Sequence, residues 1–325
     1  MGADLKRVRF WANLKGAYLC RADLEEATLS HAQLENADLH EANLKRAYLL
    51  NANLKGLDFN MAHLEEAKLY EANLQGAHLE QAHLEGADLD RAHLEGSNLQ
   101  AAFFDIRTSL DKAFLGEEKF GFASLADVHW NGVNLAVVDW SPVSILGDEQ
   151  WVRQPQFKRK VKQDKESFLD KYREAVRANR QLAVVLRDQG LNEEADHFAY
   201  RAQLLQRVVL RQRRRLLKYV LSWFLYLIAG YGYRPLRSLI IYLLLVVGFA
   251  TSYYALTHML HAQPYPLAWY EALILSVSSF HGRGFFQPVQ NLGDPVAILA
   301  SIEAVFGLLI EISFIATFTQ RFFGK

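Results

Sequence analysis

The chain has one cysteine, Cys20, and seven prolines among 325 residues. A single thiol excludes an intramolecular disulfide and fits a reducing compartment. No hydrophobic stretch lies near the N-terminal MGADLKRVRF, so no signal peptide is read and the front half is expected in the cytosol. MGADLK also lacks the Ser/Thr of a myristoylation signal. No Ser/His/Asp set, phosphate-binding loop or zinc spacing stands out, so the chain is read as a non-enzyme without cofactor or metal. Net charge is absent too, with 36 Lys plus Arg against 36 Asp plus Glu. Its distribution is uneven. Residues 1–140 carry 13 basic and 22 acidic side chains, a net of −9, and the remainder carries +9. The basic part is expected to meet an anionic surface.

A five-residue period fills the acidic part. Leucine or phenylalanine recurs from Leu14 to Phe104 in nineteen successive units, with alanine two positions earlier except at Leu57 and Ser97. Leu5 and Phe10 precede it in another phase. After a one-residue insertion it continues at Leu110, Leu115, Phe120, Leu125, Trp130, Leu135 and Trp140. Neither 3.6 nor 2 fits this spacing, so amphipathic helix and ordinary strand both fail. A solenoid succeeds: each unit buries one large and one small side chain, and stacked coils pair their backbones about 4.8 Å apart.

Units such as Ala22-Asp23-Leu24, Ala37-Asp38-Leu39, Ala42-Asn43-Leu44 and Ala72-Asn73-Leu74 resemble the A(D/N)LXX pattern of the pentapeptide-repeat family. The resemblance implies a right-handed quadrilateral β-helix over residues 1–141, with about seven coils and a length of roughly 30–35 Å. His63 and His83 are expected to stack on one face, with His78 and His93 on neighbouring ones; a solvated face is preferred over a metal site. Some relatives mimic DNA and bind gyrase. Here acidic residues alternate with Lys15, Lys45, Lys55 and Lys68, so the rod is read as a scaffold or sensing arm, without a nucleic-acid partner.

Residues 142–164 read as a linker, and 165–215 as a cytoplasmic αα-hairpin around DQG. Arg211, Arg213, Arg214, Arg215 and Lys218 then form a basic cluster. Trp223 and Tyr226 follow it in a segment too short to cross a bilayer. We read 216–234 as an amphipathic helix on an anionic membrane surface, in preference to a nucleic-acid patch.

Residues 235–325 hold two runs of crossing length, 236–256 and 295–319, with an apolar helix-length segment, 266–279, between them. Basic residues flank the first run on its N-terminal side and follow the second. They predict a multi-pass protein of the inner (plasma) membrane with both termini cytoplasmic. ALILSVSSF, GRGFFQP and IEAVFGLLIEISFIATFTQRF resemble the pore helix, filter and inner helix of the two-helix potassium-channel superfamily. The resemblance implies an all-α pore module, a homo-tetramer and an inorganic ion as permeant. Filter-forming residues would be Ser278, Ser279, Phe280, His281, Gly282, Arg283 and Gly284, in a loop over 280–287. Phe280 and His281 replace the family's threonine and valine, Arg283 its tyrosine and Phe285 its aspartate, and two residues of the approach are missing. These departures predict a filter without the usual potassium ladder.

Arg283 is either a ring of positive charge at the mouth or a brace, and Glu303 is its candidate partner. We take the brace. Glu311, mid-span, either lines the cavity or packs as a protonated acid; it sits about 80° around the helix from Glu303. Gly307 is placed as a hinge. The chain is thus expected to be an oligomeric ion channel regulated through its N-terminal domain, with a cytoplasmic protein as a further partner. The rival is a non-conducting membrane-anchored scaffold.

Overall fold

The computed structural model describes residues 2–9, 13–155, 165–233, 235–259, 267–282 and 295–322. The chain divides into two compact units, Met1–Arg214 and Arg215–Lys325.

In the first unit the five-residue period becomes a stack of coils. Parallel bridges join residues twenty apart, as in Asn43–His63–His83–Phe103, and one face runs through seven levels from Asp4 to His129. The alanines and leucines of the period point inward and are almost wholly buried from Ala22 onward. Each fully buried leucine is worth about 1.5–3 kcal/mol. The rungs pair through single bridges, so little regular sheet appears.

The backbone hydrogen bonds explain the motif. In the unit Ala42–Arg46, Leu44 donates to His63 in the next coil and Arg46 to Glu65, while Asn43 donates to Ala22 in the coil before. Ala47 closes the turn on Leu44. In this unit only the residue after the leucine lacks a backbone acceptor, and where an Asp or Asn precedes the leucine its side chain supplies one. Lys45 N–H reaches Asn43 Oδ1 at 3.3 Å, and His40 N–H reaches Asp38 Oδ1 at 3.1 Å. This is the local side-chain-to-backbone bonding that short polar residues favour at turns. Two residues past each leucine the chain takes a left-handed turn, with φ between 53° and 61° at Arg21, Glu26, Asn51 and Glu66 and glycine at Gly76 and Gly96.

The period misleads at Phe120. The bridge step lengthens to 21 at Asp88–Ser109, where the one-residue insertion falls, and to 26 at Asn98–Ser124. The added residues form a hairpin, β1 (Gly116–Glu117) and β2 (Gly121–Phe122), that leaves the coil. Phe120 lies at its tip, 40% exposed, whereas the sequence placed it in the core. The stack resumes with Leu125, Trp130 and Leu135 buried.

Three helices close the end of the stack. Residues 142–164, expected as a linker, contain α1 (Gly147–Arg153) with Glu149 and Val152 fully buried. Helices α2 (Lys165–Asp188) and α3 (Asn192–Gln212) form the expected hairpin around Gly190. It shares the core of the rod: Ala178, Leu182, Leu186 and Phe198 are continuous with it, and Trp140 meets Phe198 edge-on at 5.8 Å. Cap side chains finish the last rungs. Gln189 accepts from Leu135 N–H and donates to the Val133 carbonyl, both at 2.7 Å; Gln181 accepts from Asp127 N–H at 3.0 Å. These bonds cover an edge that otherwise invites pairing with another chain.

Two buried acids sit in this joint. Glu149 is gripped by Arg201, at 3.0 and 2.6 Å, and by Arg153 at 2.6 Å. Asp148 accepts from Leu125 N–H at 2.7 Å. Burial pushes the Asp148 carboxyl up from 3.8 to about 7, against the pull of that N–H donor. Because the folded value lies above the unfolded one, the protonated group's stability is fully present below about 4 and lost as pH rises to about 7. The first unit is therefore expected to lose roughly 2–3 kcal/mol between pH 5 and 7 from this group alone. Asp148→Asn keeps the acceptor and removes the charge. Denaturant unfolding of both chains at several pH values is expected to show that loss in the wild type and not in the variant.

Candidate functional site

The second unit begins with α4 (Leu216–Ala229), ended by Gly230 in the left-handed conformation. After a 3-10 turn, Gly230–Gly232, come α5 (Pro235–Met259), α6 (Trp269–Phe280) and α7 (Pro295–Phe322). Within α5 and α7, Arg237–Met259 and Pro295–Ile312 are long and apolar enough to cross a membrane. The twelve residues of α6 are too few to cross. Glu271 caps its start, accepting from Ala268 N–H at 2.8 Å. Helix α6 packs against both α5 and α7.

Where these helices meet, α7 presents Glu303, which is fully buried. Tyr253 Oη on α5 donates to Glu303 Oε2 at 2.7 Å. Ser276 Oγ on α6 hydrogen-bonds Glu303 Oε1, and the same hydroxyl lies 2.9 Å from the Val246 carbonyl on α5. One carboxyl thus ties three helices. One turn further along α7 stands Gly307, and a Cβ there would lie 1.8 Å from the Phe280 carbonyl oxygen at the end of α6. Gly307, expected as a hinge, stands where the end of α6 backs onto α7 and leaves no room for a Cβ.

The expected filter residues fall as follows. Ser278 is half-buried, and Ser279 and Phe280 are buried. The Phe280 ring faces inward among Ile228, Val246 and Ile310, edge-on to Tyr242 at 4.8 Å. The Phe280 carbonyl oxygen lies against Gly307. His281 and Gly282 are exposed, Gly282 with φ +64. His281 Nε2 lies 3.5 Å from Glu311 Oε1, both side chains partly exposed. Glu303 and Glu311 therefore differ: the first is sealed in, the second paired at the rim of α6. Arg283 and Gly284 lie outside the described residues, as does most of the loop expected over 280–287.

Sequence reasoning missed Tyr253 and the role of Ser276. A buried carboxyl requires donors, and the pairs Tyr253-Tyr254 and Ser278-Ser279 with Ser276 are among the few polar groups of the apolar segments. That scarcity was the available signal.

Elsewhere, Arg211, Arg213, Arg214, Arg215 and Lys218 are exposed, as are the apolar Leu217, Val220, Leu221 and Trp223 of α4. In the rod His63 and His83 stack at 5.0 Å and continue through Phe103 to His129 at 4.7 and 4.5 Å. Their Nδ1 atoms turn to Glu65 and Glu85, at 3.1 and 3.2 Å. The His63 and His83 rings lie parallel, 10° apart in plane, and each Nδ1 is turned to a carboxylate two residues on. Among the described residues no group of three or more His, Cys, Asp or Glu side chains is arranged to hold a metal ion. Charges along the rod are paired coil to coil: Arg21 with Glu41, Arg46 with Glu66, Arg91 with Glu71 and Lys45 with Glu65.

Comparison with known proteins concerns the rod. The sequence profile of the family described as "Pentapeptide repeat region" matches residues 22–104. A pentapeptide repeat protein from Nostoc Pcc 7120 is similar at 36% identity, over 29% of this chain and 73% of that one, with a TM-score of 0.17. One from the thylakoid lumen of Arabidopsis thaliana is similar at 29% identity, over 32% and 67%, with a TM-score of 0.20. Full-length QnrB1, a plasmid-mediated fluoroquinolone resistance protein, is similar at 22% identity, over 50% and 84%, with a TM-score of 0.21. No curated protein matches the chain. Residues 22–104, with their stacked coils and buried Ala/Leu ladder, are a pentapeptide-repeat region at the N-terminal end of a chain whose later part is mostly helical.

Proposed function

We propose that the chain is one subunit of a tetrameric membrane channel of the potassium-channel superfamily with a non-standard filter, regulated through its pentapeptide-repeat rod and cap. The observation that carries this reading is the placement of α6. An apolar helix too short to cross packs between two helices of crossing length, its C-terminal carbonyl seated on Gly307 of the second. A helix so placed directs the negative end of its dipole toward its own C-terminal residues, where a cation path would need it. The exposed arginines and apolar face of α4 suit an anionic leaflet. Coil-to-coil charge pairing in the rod supports a regulatory arm that binds protein rather than one that imitates nucleic acid.

The test is the reversal potential of the full chain in a planar bilayer under asymmetric potassium chloride. A shift toward the potassium potential is expected, with Glu311 and the α6 dipole favouring cations. A shift toward chloride would instead make Arg283 a selectivity element. Absence of current in every condition would overturn the channel and leave the membrane-anchored scaffold.

A further inference from the structure

Glu303 is a buried carboxyl of the second unit, and none of Arg215, Lys218, Arg237, His258 and His281 there is buried. Among the described residues, the side chains hydrogen-bonded to it are hydroxyls: Tyr253 on α5 and Ser276 on α6. Glu311, on its own helix, is turned to His281.

Protons can be counted around this site. Tyr253 has one, and its contact with Glu303 Oε2 uses it. Ser276 also has one, yet its oxygen makes two contacts, with the Val246 carbonyl and with Glu303 Oε1. A carbonyl carries no proton, so the serine must donate to Val246 if that contact is a hydrogen bond. The other contact then needs a proton from the carboxyl. We infer that Glu303 is a proton-binding site, holding a carboxylic-acid proton on Oε1 that is donated to Ser276.

All three donors are then used in one direction. Tyr253 donates to the Glu303 carbonyl-type oxygen, the Glu303 acid proton goes to Ser276, and Ser276 donates to Val246. The chain of bonds leaves α5, passes through α7 and α6, and returns to α5. Neutral glutamic acid suits a carboxyl in this position, because burying the ion without a cation is costly whereas a fully bonded neutral group is not. Loss of the proton leaves Oε1 and the Val246 carbonyl competing for one hydroxyl proton; the charged oxygen is the stronger acceptor, so the tie of Ser276 to Val246, between α6 and α5, is given up. The proton acts as a pin across three helices, and its release as pH rises is the switch. This holds whether or not the unit conducts.

Infrared difference spectroscopy of the full chain in liposomes tests it directly. In an Asp148→Asn background, which removes the buried acid of the first unit, a carboxylic-acid carbonyl band is expected at neutral pH and is expected to be lost on adding Glu303→Gln. That variant mimics the protonated acid, since its amide donates to Ser276 while its oxygen accepts from Tyr253. Should it not fold, Ser276→Ala and Tyr253→Phe each remove one partner and are expected to shift the same band. Raising the pH is expected to bleach the band and lower the melting temperature of the wild type. In the Asp148→Asn background, adding Glu303→Gln is expected to flatten this pH dependence. No acid band that responds to any of the three substitutions overturns the assignment. An Arg283→Gln substitution that shifts the band would do so as well, because the acid would then answer to a cation.

Discussion

Arg201→Ala is expected to destabilise the first unit by about 3–5 kcal/mol, close to what removing one partner of a buried ion pair costs elsewhere. The reason lies in what remains. Glu149 is fully buried and Arg201 only 16% exposed, and the two meet through a two-pronged contact. Without Arg201 the carboxylate keeps only Arg153, whose side chain is half exposed and reaches it from one turn along the same short helix. Solvent competes for that second arginine, so Arg153→Ala is expected to cost no more than about 1 kcal/mol. The asymmetry is the test: denaturant midpoints of the two variants in the full chain should separate clearly. Equal, small shifts would mean that α1 is not held by this pair. Replacing Glu149 and Arg201 together by leucine and methionine is expected to recover most of the loss, since an apolar pair of similar volume has no charge to desolvate. Such recovery would show that the pair fixes the seating of α1 against α3 more than it adds stability.

That joint shows where the sequence was readable. The alternation of Ala and Leu could be read because every coil repeats the same problem: one small and one large side chain inside, and an Asp or Asn to receive the one amide the coils leave over. Phe120 could not be read from spacing, because the hairpin inserts residues without breaking the count of five. The clue was composition: GEEKFG sets a charged turn between two glycines, Gly121 takes φ +95, and a Cβ on Gly116 would lie 2.4 Å from the Phe122 ring. Helix α1 was invisible for another reason. Its seven residues are too few to show a helical period, and Glu149 looks like a surface charge until Arg201, 52 positions later, is folded onto it. In the second unit the length of the apolar runs gave α5 and α7, with ends extended by a few residues. The fold of α6 against both could be expected only from resemblance. Glu303 was singled out for its position in an apolar helix, but its partners Tyr253 and Ser276 lie 50 and 27 residues away on other helices. No local pattern links them.

Gly307→Ala is expected to unseat α6, with a cost of about 3 kcal/mol or more, at or beyond the upper end of ordinary overpacking. A Cβ at this position would lie 1.8 Å from the Phe280 oxygen, 2.7 Å from its carbonyl carbon and 3.1 Å from its Cα. Those atoms are backbone, so no rotamer change relieves the clash and the end of α6 must move as a whole. Ser276 sits one turn earlier on α6 and Glu303 one turn earlier on α7, so the displacement reaches the carboxyl network as well. Gly248 on α5 supplies the contrast, since a Cβ there would meet nothing within 4 Å. Gly248→Ala is expected to change stability by less than about 1 kcal/mol, the scale of the helix preference for alanine over glycine. Thermal unfolding of the two variants beside the wild type, in one detergent, separates the two roles of Gly307. A seat predicts a large fall in melting temperature for Gly307→Ala alone. A hinge predicts an unchanged melting temperature with altered opening, because alanine in an open helix face stiffens the chain without straining it. The distance to Phe280 favours the seat, and an unshifted melting temperature in Gly307→Ala would return the residue to the hinge.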